Sequence, residues 1–307
     1  IKRVFEAMWH FLPYGAGVII IVLGAGHFLD AHHLYHWMDD TLYHEYMVVD
    51  GDQSTYVDTM EEGAVANPNF DYLIAHKAAF FSPWFFWFRT LMYVGTFMLF
   101  ARLFRRWSLL EDESPSLDLH YKQFRRSAVF LVFFAVFSSM LAWDWIMSID
   151  VHWFSTLFGW YLFAGMWVGF MIFMNVMLIW LRSKGYYQEV TDSHMHDISK
   201  WMFAISMLWS YLWVSQFLLI WYANIPEEVE FFYHRLAHGW ETISWLMPIT
   251  HFFVPFLFLL SRHVKRHRTA LAVGAVWIII MHIVDIYWLV MPNFGAHGLK
   301  VGEHAPH

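Results

Sequence analysis

Eight ionisable residues interrupt runs of sequence that are otherwise almost wholly apolar: His27, Asp30, His33, Arg89, Asp144, His251, His282 and Asp285. A charged side chain at the centre of a membrane helix costs about 2.5–3.5 kcal/mol on insertion scales, so each needs a compensating role. Spacing groups several of them. His282 and Asp285 are three residues apart and share one helix face, as do His27 with Asp30 and Asp30 with His33. A carboxylate beside an imidazole raises its basicity and gives a proton somewhere to go, which is general acid–base chemistry. Arg89 and Asp144 have opposite charges on consecutive apolar runs and are expected to pair, because an unpaired buried Arg is expensive. The guanidinium would then hold Asp144 ionised. His251 has no such neighbour in sequence and reads as a hydrogen-bonded interior histidine.

The elements that must hold these groups are long. Apolar stretches run over about 12–38, 79–104, 127–149, 155–181, 199–223, 240–261 and 270–291. Each reaches the roughly 20 residues a helix needs to cross about 30 Å of hydrocarbon. Uninterrupted apolar runs leave the backbone no partner in lipid except its own helix. Composition agrees: 59% of residues are hydrophobic and 15% charged, against about 25% charged in soluble domains. The 19 Trp, 31 Phe and 15 Tyr suit interfacial belts and bundle interiors. The expected fold is an all-α polytopic membrane helix bundle, one membrane domain over 1–307 with about seven spans. The chain begins at Ile1 rather than Met and is read as part of a longer protein with further flanking helices.

Charge sets direction. With the N-terminus inside, 15 of the 19 Lys and Arg residues fall on the inner side, including Arg105, Arg106, Arg125, Arg126, Lys265 and Arg266. The segment 39–76 is then outside, with nine acidic residues from Asp39 to Asp71 and no basic one. Asp50, Asp52, Ser54, Asp58 and Glu61 imitate a calcium loop, but Thr55 stands where that loop needs Gly. A solvated acidic loop is the better reading. The net charge of −7 is no nucleic-acid signature. Absence of Cys excludes thiolate-held iron–sulfur clusters, disulfides and covalent haem c in this chain.

Depth, counted at 1.5 Å per residue, puts the ionisable groups in the outer half of the spans or at the midplane: Asp144 roughly 8 Å down, Asp285 about 9 Å, Arg89 about 13 Å, His282 about 14 Å, His27 and His251 roughly 16 Å. The inner halves hold only weak polar groups such as Ser206 and Asn175. An outward-opening pocket of this kind suits a quinone, whose planar ring stacks on aromatics while His and Asp take its two protons. The alternatives are a haem-b cytochrome with His27, His251 or His282 as ligands, a proton or ion transporter carried by Asp30, Asp144 and Asp285, and a structural role in a larger complex.

Two further stretches are long and unusual: Ser139-Met-Leu-Ala-Trp-Asp144-Trp-Ile-Met-Ser-Ile-Asp150-Val-His152-Trp-Phe-Ser-Thr-Leu-Phe-Gly-Trp-Tyr161, and Gln216-Phe-Leu-Leu-Ile-Trp-Tyr-Ala-Asn-Ile-Pro-Glu-Glu228. With His282-x-x-Asp285 and Met291-Pro292, they resemble the F subunits of bacterial alternative complex III, within the wider polysulfide-reductase-like (NrfD-like) membrane subunits. The resemblance covers nearly the whole chain apart from 39–76. It implies two four-helix bundles in a bacterial inner-membrane respiratory complex that oxidises quinol, usually menaquinol. Electrons would pass to a c-type cytochrome or a terminal haem-copper oxidase. The haem c and iron–sulfur clusters would sit on partner subunits, beside a related C membrane subunit, with the N-terminus cytoplasmic and 39–76 periplasmic. This chain would hold no covalent redox group and would supply a quinol-facing or proton-transfer pocket, or serve assembly. The residues so implicated are Asp144, His282, Asp285 and His33, with Asp150 and His152 on the outer rim.

Overall fold

The computed structural model describes residues 2–29, 34–50, 53–60, 63–114, 116–237 and 239–296. Its helices are α1 (Lys2–Ala7), α2 (Leu12–Leu29), α3 (Tyr72–His76), α4 (Ala78–Phe81), α5 (Pro83–Glu113), α6 (Leu117–Trp145), α7 (Leu157–Ser183), α8 (Asp192–Ala223), α9 (Pro226–Leu236), α10 (Glu241–Met247), α11 (Val254–Leu260) and α12 (Arg268–Ala296). Among the described residues, seven helical stretches are long and apolar enough to cross a membrane. The chain is a multi-pass, all-α membrane protein. Its lipid-facing surface shows in the number of bare apolar side chains, among them Leu131, Val132, Trp221 and Ile283, all more than 60% exposed, well beyond the patches a soluble monomer leaves.

Several boundaries differ from those read in the sequence. The first span is Lys2–Leu29, not 12–38, and residues 36–38 form a separate 3-10 turn after an extended Tyr35. His27 therefore lies no more than about 10 Å from the outer end of its helix at the usual rise, shallower than expected. The polar end of α5 continues to Glu113, and α6 and α8 begin about two to three turns earlier than expected, at Leu117 and Asp192. The charged residues there extend the helices beyond the apolar core, where water satisfies them.

Packing divides the chain into two units. The first comprises Ile1–Trp9, Ser138–Ile146 and Trp153–His307; the second comprises His10–Phe137 and Met147–His152. In the first, α7, α8, α10–α11 and α12 pack as a four-helix bundle, with α9 across α8 and α12. A left-handed Asn224 (φ 49°) ends α8, and Pro226 opens α9 at its first turn, where its missing N–H costs nothing.

In the second unit, α5 and α6 interlock through Tyr93, Phe97, Phe100, Phe130 and Phe137. The segment 39–76 is not the plain loop expected. It carries a three-stranded antiparallel sheet, β1 (Tyr46–Asp50), β2 (Gln53–Val57) and β3 (Ala64–Ala66), in the order β2-β1-β3. Tyr46 faces Val57 and Asp50 faces Gln53 in the β1–β2 register. The calcium-like spacing therefore falls on a hairpin rather than between helices, and its Asp52 and Glu61 lie outside the described residues. Asn67 ties the segment together, donating to the carbonyls of Thr41 and His44, each at 2.7 Å.

Candidate functional site

The site lies inside the four-helix bundle of the first unit, and a break in one helix shapes it. Between α10 and α11, residues Pro248–Phe253 take a π-helical turn. Pro248 and Pro255 have no N–H, so the α-helical bonds to the carbonyls of Ser244 and His251 cannot form. In the wider register Val254 N–H donates to Ile249 O. The next bond in that register would need an N–H from Pro255, so Thr250 O accepts from Trp277 Nε1 instead, at 2.8 Å. Such turns concentrate at functional sites, and His251 sits in the middle of this one.

His251 is 3% exposed and lies against Trp209 of α8, ring centroids 3.8 Å apart. Its ring also meets His282 of α12 edge-on at 5.6 Å. One ligand-type atom from each of His251, His282 and Asp285 falls within 4.8 Å of the other two. Asp285 is 2% exposed and accepts a short hydrogen bond from the Tyr161 hydroxyl of α7. The Nδ1 atoms of His251 and His282 are buried without a hydrogen-bond partner.

Glycine makes room for this. A Cβ on Gly165 would sit 2.7 Å from Cε1 of His282, closer than any real contact, and Gly169 one turn on also faces the ring. The small residues of α7 thus let the imidazole lie against the helix backbone.

Towards the α9 end of the bundle lies a small aromatic pocket lined by Phe158, Tyr161, Trp213, Gln216, Phe231 and Trp288, among others. Its empty volume of about 220 Å³ is partly open to the outside, and its centre has room for one water at most. Gln216 Oε1 and Trp213 Nε1 are buried there without a hydrogen-bond partner. They leave the pocket one acceptor and one donor. Behind it, Arg235 is wholly buried. Its guanidinium lies 3.4 Å over the Phe231 ring and donates to Phe231 O at 2.8 Å and Leu289 O at 2.7 Å. Cation–π contact and carbonyl acceptors together replace its lost hydration. Trp288 Nε1 donates to Ser244 Oγ, which donates in turn to Arg235 O.

The structure brings His282 and Asp285 together as their spacing foretold, and adds His251 and Tyr161, which the sequence did not assign. His251 is not the isolated, hydrogen-bonded interior histidine expected. Its neighbours come from other helices; its place in an apolar run marked it as buried, and Pro248 and Pro255 hinted at the π-turn that carries it. Tyr161 was one aromatic among many. Arg235, in the polar stretch between two apolar runs, is a core residue. Asp144 is buried in the first unit and Arg89 in the second. Arg89 donates to Phe80 O at 3.1 Å and lies over the Phe80 and Phe85 rings. His27, in the second unit, is half-buried with its ring against Phe28. Asp30 and His33 lie outside the described residues.

The rim residues of the second unit form their own group. His152 Nε2 bonds Asp71 at 2.6 Å, and Asp71 also caps α3, accepting from Leu73 N–H and Ile74 N–H. Burial alone would raise the Asp71 carboxyl, but the two N–H groups and His152 outweigh it and hold it below the usual range. Lys77 donates to Val151 O at 2.9 Å. Burial pulls its ammonium below the ordinary lysine value, while Asp71 and the half-buried Asp150 work against that pull. No protein-family model matches the chain, and no curated protein matches it in a sequence comparison.

Proposed function

We propose that this chain is a membrane subunit of a respiratory quinol:acceptor oxidoreductase, and that its work there is proton transfer. The observation that carries the reading is the buried Tyr161–Asp285–His282–His251 cluster. Four groups able to exchange protons meet inside an apolar bundle, where each alone would be costly. The aromatic pocket beside Tyr161 holds a water-sized space with an unused donor and acceptor. A water there, bonded to Gln216 Oε1 and Trp213 Nε1, would extend the chain of exchangeable protons towards α9. A quinone ring is larger than that space, so a quinol would meet this subunit only at its mouth, or after Trp213 and Phe231 turn aside. The pocket thus favours the proton role over a closed quinone site.

In this reading the N-terminus is cytoplasmic, as the positive-inside bias requires, and the sheet-bearing segment 39–76 is periplasmic. The membrane is the bacterial inner membrane. Menaquinol would be oxidised at or near a related membrane subunit. Electrons would leave through haem c and iron–sulfur centres on partner chains, since this chain has no cysteine to hold them.

The test is purification of the tagged chain from its native membrane in mild detergent. Expected are co-purifying haem c, seen in the reduced spectrum, and quinol oxidation by the preparation. A preparation free of haem and iron, with no quinol turnover, overturns the respiratory reading.

A further inference from the structure

We infer that His251, His282 and Asp285 form an inhibitory binding site for a divalent transition-metal ion of zinc's character. The inference uses the groups of the proton reading but does not depend on it, because metal occupancy is measured without quinol.

Three observations converge. The donor set is two imidazoles and one carboxylate, with ligand-type atoms mutually within 4.8 Å. Around zinc, bonds of about 2.0–2.1 Å place tetrahedral ligands about 3.3 Å apart. The three groups therefore need to close by no more than about 1.5 Å, within reach of small side-chain rotations. Next, Nδ1 of His251 and Nδ1 of His282 are buried lone nitrogens, and His251 is 97% shielded, being 3% exposed. A buried polar atom without a partner is a standing cost that a ligand removes. Last, the groups are placed by rigid elements. His282 is held against Gly165 and Gly169, His251 sits on the π-turn, and the Tyr161 hydroxyl orients the Asp285 carboxylate from outside the donor set.

Imidazole donors exclude magnesium and calcium, which take oxygen ligands, and suit zinc, cobalt or copper. Binding takes neutral imidazoles and an ionised carboxylate, so any proton on these groups is released to solvent as the ion arrives. Lone pairs tied up by the metal no longer accept protons, so an occupied site is closed to proton transfer.

The experiment uses the full chain, chelator-treated in detergent and titrated with Co²⁺, whose tetrahedral complexes absorb strongly in the visible. Expected is one tetrahedral Co²⁺ per chain, displaced by Zn²⁺. In His251→Gln and Asp285→Asn the band should be lost or the affinity should fall by 100-fold or more, while His120→Gln on the exposed part of α6 changes nothing. Folded wild-type protein with no tetrahedral band overturns the inference by itself, whatever the variants do. So does a band that His251→Gln leaves intact, since that places the metal on other histidines. If the metal binds but Asp285→Asn leaves quinol turnover untouched, the metal site stands and the proton reading falls.

Discussion

Two regions of this molecule each bring a carboxylate to an imidazole, and they do so to opposite ends. At the rim of the second unit, Asp71 and His152 are each only partly shielded, with side chains 20% and 24% exposed. Asp71 spends its other lone pairs on the first turn of α3. Two of its bonds steady the first turn of α3 and the third ties that turn to His152, so the pair reads as a clamp. In the bundle of the first unit, Asp285 is enclosed, it accepts from the Tyr161 phenol rather than from a backbone N–H, and two imidazole nitrogens beside it have no hydrogen-bond partner. Structural carboxylates saturate their acceptors. Groups held in reserve for a proton or an ion do not, and the membrane interior makes that reserve costly enough to need a reason.

The sharpest way to break the contrast is Asp285→Asn, which keeps shape and removes the exchangeable acid. Turnover of the intact complex should fall by about 100-fold or more, the usual reach of a general acid–base group. Assembly is checked by co-purification, and Asp285→Glu should recover part of the loss. Wild-type turnover in Asp285→Asn would make the cluster structural, like the rim pair.

Next in size is Gly165→Ala, which leaves every reactive group in place. The added Cβ meets His282 at 2.7 Å, so the ring must move. An overpacked core costs about 1–3 kcal/mol, and Tm should drop accordingly. Turnover and Co²⁺ binding should both weaken, whereas Gly17→Ala, with open space around it, should change neither.

The smallest effect is expected at the rim. Asp71→Ala removes an N-cap worth about 1 kcal/mol and should speed amide exchange over Leu73–His76 without touching turnover. The pH dependence has a definite sign. The folded Asp71 carboxyl lies below its unfolded value of about 3.9. Its contribution is therefore complete above that value and is lost as pH falls through the lower, folded one. Protection of α3 in the wild type should weaken below about pH 4, relative to intrinsic exchange rates, and in Asp71→Ala this extra loss should vanish.

Much of the architecture was legible from residue types alone. The seven apolar runs match the seven helices among the described residues that are long and apolar enough to span, because lipid leaves the backbone no other choice. His282 and Asp285 were legible because both lie on one helix, where residues three apart share a face. The sheet in 39–76 has a weaker signal: β-branched and aromatic runs flank Gly51-Asp52, a hairpin pattern set among nine acidic residues that equally suit a solvated loop.

What the sequence determined by itself is therefore whatever depends on local composition and helical period: the spans, their number, the charge bias, and the one-helix pair. Only the tertiary structure decided that His251, about 30 residues before His282, and Tyr161, more than 120 before Asp285, complete the cluster. It also decided that Arg235 belongs to the core. The physical reason is that these contacts join different helices. Which faces meet is set by glycines that admit a ring, by prolines that reroute a turn, and by how the helices pack, none of which has a period along the chain.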